Sequence, residues 1–308
     1  MQPFKLQLDQ GVITGRVSIP KHQPPNKFVP LVVCIHGGGA DATYFDASPE
    51  YSITAVSDPL GIPVITFNRP NYHESSCHPQ LPTTDSETYS EQQGKYLNTV
   101  VLPALWREYG QQSGATAMVL LSHSIGAMIG TIIAGSYTGK EGYPLAGLIT
   151  SGIGLEHSAE IRSNFLAQID QTQPFLQMDP AIKTQVAYQL QRDLVDREAI
   201  KHFTWINTPV PVAELLDINT KWDDIALRYC PAVKVPLMYG ISEFDGIWPS
   251  SQEAVEKYRE AFSASPRREC GIIPFAPHAH DLSFQGKGWL ARCCGFALEC
   301  AGWHAMKE

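Results

Sequence analysis

The sequence predicts an α/β protein: a mostly parallel central sheet with helices packed on both faces. Three observations carry this expectation. Short, continuous apolar runs rich in β-branched residues recur along the chain, as strands buried on both faces require. Stretches with the apolar spacing of helices lie between them. Several runs stop abruptly at glycine, serine or acidic residues, where a strand would meet a loop or a helix. Strands alternating with helices mean a parallel sheet clad by its own crossovers.

Taken in order, residues 4–8 and 12–19 read as two strands joined by a short glycine-containing turn. After the proline-rich HQPPNKFVP comes the run 31–35, which halts at His36-Gly37-Gly38-Gly39. Further strands are expected at 63–67, 118–121, 145–150, 235–239 and 271–275. Leu97, Val100, Val101, Ala104 and Leu105 recur at helical spacing, with Pro103 inside the pattern predicting a kink or break. Residues 125–136 form a helix of small and apolar residues, and 289–301 a last helix with Leu290, Cys294, Ala297 and Ala301 on one face. From 155 to 230 no buried strand is evident; Ile182, Val186, Leu190 and Leu194 mark an amphipathic helix at four-residue spacing. That stretch is far too long for a bare loop. The expected organisation is a core of 1–154 and 231–308 with a helical cap, 155–230, inserted between two sheet strands. No repeat, low-complexity tract or flexible linker interrupts it.

Composition narrows the classes of function. The 308 residues are 44% hydrophobic and 18% charged, enough for a self-supporting core without disulfide staples. A formal charge of −8 weighs against nucleic acid or an anionic membrane surface as partner. No apolar run approaches the roughly 18–20 residues of a membrane helix, and the N-terminus alternates polar and apolar residues like a strand rather than a signal peptide. The cysteines number seven, an odd count. Cys34, Cys77, Cys230 and Cys270 are scattered, whereas Cys293, Cys294 and Cys300 crowd one segment, and no C-x-x-C occurs. The pattern implies core packing in a reducing, cytoplasmic setting. A small molecule is the expected partner, and a homodimer is left open.

Four motifs carry chemistry. In Ser122-His123-Ser124-Ile125-Gly126, a strand runs into a sharp turn and a helix starts at once. A serine there stands above the sheet, and the N–H groups opening the helix meet a developing anion. Ser122 occupies a position usually held by glycine, where close backbone contact must be tolerated. His36-Gly37-Gly38-Gly39 leaves backbone N–H groups unobstructed, as an oxyanion hole needs. The same glycines, with Ala42 and Asp58, fit a dinucleotide loop, but the Thr-Tyr-Phe-Asp that follows is a poor helix start. Asp245 in Gly240-Ile-Ser-Glu-Phe-Asp245-Gly sits past the strand 235–239 and is favoured over Glu243 because the turn residue Gly246 follows it. Beyond the last strand, Pro277-His278-Ala-His280-Asp281 offers two competing histidine bases. His-x-His-Asp also suits a metal, yet no second His/Asp cluster accompanies it, His73 and His78 being the nearest, so no metal is expected. The chain order is Gly-rich loop, Ser, Asp, His.

These residues make the chain resemble an α/β-hydrolase over essentially its whole length. The likeness rests on HGGG at 36–39, FNRPNYHESS at 67–76, SHSIG at 122–126, YGISEFDGIWP at 239–249 and APHAHDLS at 276–283. The ending GWLARCCGFALECAGW resembles fungal members, many tied to secondary metabolism. The resemblance implies Ser124 as nucleophile, His278 as base with His280 as its understudy, and Asp245 as orienting acid. It places the oxyanion hole at the N–H groups of Gly38 and Ile125. It implies acyl transfer on an ester, thioester or related carbonyl without a cofactor. Non-hydrolytic chemistry on the same fold (carbon–carbon cleavage, cyclisation, dehydration) and a non-catalytic ligand receptor are the alternatives. Candidate pocket residues are His36, Gly39, Tyr72, His123 and Trp248, with Tyr44 and Trp205 as further aromatics.

Overall fold

A computed structural model describes residues 1–9, 11–21, 27–76, 87–157 and 159–307; Cys77, His78 and part of the proline-rich stretch lie outside them. The strands are β1 (Gln2–Leu8), β2 (Gly11–Ser18), β3 (Pro30–Ile35), β4 (Val64–Phe67), β5 (Ala117–His123) and β6 (Leu145–Ser151). The two-residue strands β7 (Phe175–Leu176) and β8 (Val210–Pro211) pair only with each other, and β9 (Leu237–Phe244) and β10 (Arg268–Pro277) complete the set. The main sheet has the order β1-β2-β4-β3-β5-β6-β9-β10. β2 pairs antiparallel with β1 and β4, and every other pairing in this sheet is parallel.

Every residue of β3, β5 and β6 is buried, which is why these strands read as unbroken apolar runs. Their alternate residues feed two cores. Leu31, Val33, Met118 and Leu120 join one face, and Val32, Cys34, Val119 and Leu121 the other. The helices are α1 (Thr54–Ser57), α2 (Tyr89–Tyr96), α3 (Leu102–Leu105), α4 (Ile125–Ser136), α5 (Ala159–Ala167), α6 (Pro180–Tyr188), α7 (Arg197–Trp205), α8 (Val212–Thr220), α9 (Trp222–Tyr229), α10 (Gln252–Ala261) and α11 (Gly286–Ala305). α4 supplies Ile129, Ile132 and Ile133 to the first core. α11 supplies Trp289, Cys293, Cys294 and Cys300 to the second, and Cys230 is buried in the first. The described cysteines are free thiols used as packing. Among the described residues, no helix is long and apolar enough to cross a membrane.

Two expectations need correcting. Pro103 does not break its helix. The chain stays helical from α2 through α3, with a π turn at Leu97–Val101 in which the Leu102 N–H reaches back to Leu97 O. Proline has no N–H to give, and the wider turn takes up the mismatch. The amphipathic helix drawn through Ile182, Val186, Leu190 and Leu194 ends at Tyr188, because Gln189 turns left-handed at φ 46°. Ile182 and Leu190 are 53% and 41% exposed, so the four do not share a buried face. Lys183, Thr184, Ala187 and Tyr188 are the buried ones. Within 155–230, α8 packs on α2 and α9 on α4, so the later part of this segment belongs to the helical layer on that face.

The turn between β5 and α4 explains how Ser122 stands in for glycine. Its hydroxyl donates to Ile149 O at 2.8 Å, and the space it needs is left by Gly130, one turn into α4. A Cβ at position 130 would lie 2.6 Å from Ser122 Oγ. Gly130→Ala is therefore expected to destabilise the fold by about 1–3 kcal/mol, despite alanine's better helix propensity. The cost should be largely absent in a Ser122→Gly background, a non-additivity measurable by chemical denaturation of the double-mutant cycle.

Candidate active site

The C-terminal ends of β3, β5, β9 and β10 converge on one rim of the sheet. Ser124 caps α4 with φ 56° and ψ −130°, a strained conformation that lifts its hydroxyl off the strand. Its N–H donates to Ser151 O at 2.8 Å, pinning the turn to β6. Ser124 Oγ lies 3.2 Å from His278 Nε2, and His278 Nδ1 lies 2.8 Å from Asp245 Oδ2. With Nδ1–H donating to the carboxylate, Nε2 is left to accept the serine hydroxyl. Asp245 is held in turn by the N–H groups of Ile247 and Trp248, 2.8 and 3.0 Å from Oδ1. The side chain of Asp245 is 0% exposed, so its charge is directed almost wholly at the imidazole and these two amides. Glu243 is exposed and accepts from the Phe275 N–H instead.

Opposite His278 lies the Gly-rich loop. A Cβ on Gly37 would come 2.9 Å from Ser124 Cβ, and one on Gly126 would strike Ile35 O and His36 O at 2.4 and 2.5 Å, so loop and turn touch through bare backbone. Gly38 packs against Ile125, and its N–H makes no hydrogen bond among the described residues. The Ile125 N–H opens α4, where no intrahelical acceptor exists.

What aims the loop is Arg69, which follows β4. Its guanidinium donates to His36 O at 3.0 Å and to Gly37 O at 3.3 Å. The planar trans peptide sets the Gly38 N–H opposite to Gly37 O, away from Arg69. Arg69 is itself paired with Glu214 of α8 through two bonds of 2.6 and 2.8 Å, both side chains fully buried. Tyr72 O–H adds a third donor to Glu214 at 2.7 Å, and Gln93 Oε1 takes the remaining Arg69 proton at 2.7 Å. His36 accepts the Arg69 backbone N–H at Nε2 and holds Gly37 O at Nδ1. Burial, helped by Arg69, keeps its pKa well below the usual imidazole range. Lys183 of α6 donates to Gly39 O and Ile206 O, both at 2.6 Å. Burial draws its ammonium pKa down to about 7 against the opposing pull of Asp41.

Beneath His278 lies a packed cluster. His123 stacks on Tyr44, and its Nδ1 is 3.1 Å from Ser151 Oγ. Tyr44 O–H donates to Asp281 Oδ2 at 3.1 Å. His280 is fully buried, with Nδ1 3.0 Å from Ser242 Oγ and 3.1 Å from His278 O. It sits behind the relay, and the ring facing Ser124 is that of His278. Burial pushes the pKa of His123 and His280 down and that of Asp281 up. His123, His280 and Asp281 bring potential ligand atoms within 4.8 Å of one another; the Tyr44 O–H donates to Asp281 Oδ2 and His123 Nδ1 lies beside Ser151 Oγ, while the buried His280 Nε2 and Asp281 Oδ1 make no hydrogen bond among the described residues.

Ser124 and His278 open onto a cavity of about 340 Å³ lined also by Gly38, Tyr44, His123, Ile125 and Trp248. His36, Gly39 and Tyr72 do not line it, contrary to expectation. His36 and Tyr72 belong to the Arg69 network below the loop, and Gly39 turns its carbonyl to Lys183. Trp205 is 82% exposed on the far side of α7 from the lining residue Phe203. The residues that sequence reasoning missed are Arg69, Glu214 and Lys183; only Arg69 lay in a motif already singled out.

A model of the alpha/beta hydrolase family matches residues 32–287. The chain belongs to that family. No curated protein matches the sequence. Among solved structures it is similar to a soluble variant of monoglyceride lipase from Saccharomyces cerevisiae bound to a substrate analogue, with 15% identity, a TM-score of 0.67, and 99% of this chain and 96% of that one covered. It is also similar to a thermophilic esterase from Thermogutta terrifontis, with 17% identity, a TM-score of 0.63, and coverages of 98% and 100%. A thioesterase domain from the curacin biosynthetic pathway matches with 15% identity, a TM-score of 0.57, and coverages of 97% and 99%. At these identities the likeness is one of fold.

Two outcomes follow from the buried charges. Glu214→Gln strands the Arg69 guanidinium and should cost about 3–5 kcal/mol in chemical denaturation, while the paired change Arg69→Met with Glu214→Leu should recover much of it. For His36, the folded pKa lies below the unfolded value of about 6.5. As pH falls through that value the unfolded chain takes up a proton that the folded chain refuses, so His36 contributes a loss of stability on acidification. The slope of unfolding free energy against pH, between about pH 7.5 and 5.5, should be shallower in His36→Asn than in wild type.

Proposed function

We propose that the protein is a serine hydrolase that transfers the acyl group of a small-molecule ester or thioester through a covalent intermediate on Ser124. One observation carries the reading: the hydrogen-bonded relay from Ser124 Oγ through His278 to Asp245, 3.2 and 2.8 Å long, at the wall of a mainly apolar cavity. Ser124 Oγ attacks the carbonyl carbon while its proton passes to His278 Nε2. Asp245 keeps the Nδ1–H tautomer in place and stabilises the imidazolium that forms. The carbonyl oxygen becomes an oxyanion facing the free N–H groups of Gly38 and Ile125. Collapse of the tetrahedral intermediate expels the alkoxide or thiolate, which takes the proton from His278. Water, or an alcohol or amine of the substrate, then attacks the acyl-enzyme by the same steps in reverse, restoring Ser124.

We assign residues 155–230 as the cap over the core of 1–154 and 231–308. Phe165, Met178, Val186, Phe203 and Leu215 of this segment face the cavity and favour an acyl group with little charge. The fungal likeness of the last helix extends the proposal to acyl groups of secondary metabolism.

A fluorophosphonate probe is expected to label wild type and not Ser124→Ala; equal labelling of both would sink the reading. Turnover of p-nitrophenyl esters should fall by about 10⁴-fold or more in Ser124→Ala and in His278→Ala. His280→Ala should retain more activity than His278→Ala, and the reverse ranking would exchange their roles.

A further inference from the structure

The cavity beside Ser124 is lined mainly by apolar side chains, among them Phe165, Val186, Leu215, Ile218 and Ile247. Most of its polar lining is already engaged with the protein. Tyr44 donates to Asp281, Lys183 is bound to backbone carbonyls, and His157 Nδ1 faces Arg162 at 3.0 Å. Gln168, Gln177 and Asp179 are exposed at the rim. Asn219 of α8 differs from all of these. It is 5% exposed, and its Nδ2 donates to Leu215 O, one turn back, at 2.8 Å. That bond requires the amino end of the carboxamide, which fixes the other end as the oxygen. The oxygen has no partner among the described residues and is not sealed from the cavity. Neither helix nor packing asks for this residue: asparagine is a poorer helix former than leucine, and its neighbours Leu215 and Ile218 are apolar. An acceptor kept free within an apolar pocket is complementary to a donor arriving with the ligand.

We propose that Asn219 is a specificity-determining residue that selects acyl chains bearing a hydrogen-bond donor, a hydroxyl or an amide N–H, on an otherwise apolar frame. The inference rests on the acyl-transfer reading above and narrows its substrate class. The test compares p-nitrophenyl esters of butanoic to octanoic acid, each paired with its ω-hydroxy analogue, on wild type and Asn219→Leu. The readout is the ratio of kcat/KM for the two members of a pair, which does not depend on the fraction of enzyme that is folded. In wild type, at the chain length that brings the hydroxyl to Asn219, the ratio should reach about two- to tenfold, the worth of one buried neutral hydrogen bond. In Asn219→Leu it should fall to about one or lower. A wild type that favours the plain ester at every length, or a preference that survives in Asn219→Leu, overturns the proposal and leaves the acyl-transfer reading intact. Absence of turnover in both series, with no probe labelling of Ser124, overturns both.

Discussion

A buried guanidinium that must be answered by a buried carboxylate governs the arrangement of the upper half of this molecule. Removing Arg69 and Glu214 from water is costly, and the cost is offset only if their bonds are short and the remaining protons and lone pairs are occupied. Tyr72, Gln93 and two carbonyls of the Gly-rich loop occupy them. The pair therefore fixes two things at once. It seats α8 against the core, and it holds Gly37 O so that the Gly38 N–H points away from Arg69. The direction of one peptide dipole and the placement of the segment above it share a single cause.

The groups around the serine are graded by burial. Asp245 is sealed and held by two amides, His278 reaches from that sealed pocket to the cavity wall, and Ser124 stands at the opening. Behind them His123 and His280 are kept neutral by desolvation, so no second positive charge competes with the imidazolium that would form at His278. On the other side, Lys183 ties Gly39 O to the chain following α7, bracing the loop from above as Arg69 braces it from below. Both braces act on carbonyls and leave the intervening N–H groups free.

Sequence patterns conveyed the sheet well because strands buried on both faces leave continuous apolar runs, and the turn at Ser124 was legible because its small neighbours are local. Asp245 and His278 could be proposed from their place after a strand. The features that escaped share one property: their partners are distant in sequence. Glu214 meets Arg69 across 145 positions, and Lys183 meets Gly39 across 144. No periodicity records such a meeting. His36 and Tyr72 were drawn to the pocket because motif residues invite that reading, whereas their side chains serve the ion pair beneath it. The helix through Ile182 and Leu190 misled for a related reason: apolar residues at four-residue spacing can line a cavity or face solvent as well as a core. Pro103 shows a local rule giving way to a local remedy, the π turn ahead of it.

The seating of α8 and α9 on α2 and α4 bears on how such a protein could diversify. An insertion joined to its host only at its two ends can be exchanged like a cassette. Here residues 155–230 contribute part of the layer that covers the sheet, and they carry the counter-ion for a core arginine. A chimera that replaced 155–230 wholesale would uncover apolar surface on α4 and strand Arg69. Exchange of whole elements is therefore confined to the portion before α8, whereas α8 varies its pocket-facing positions 215, 218 and 219 singly, and substitutions at positions 69 and 214 are bound to travel together.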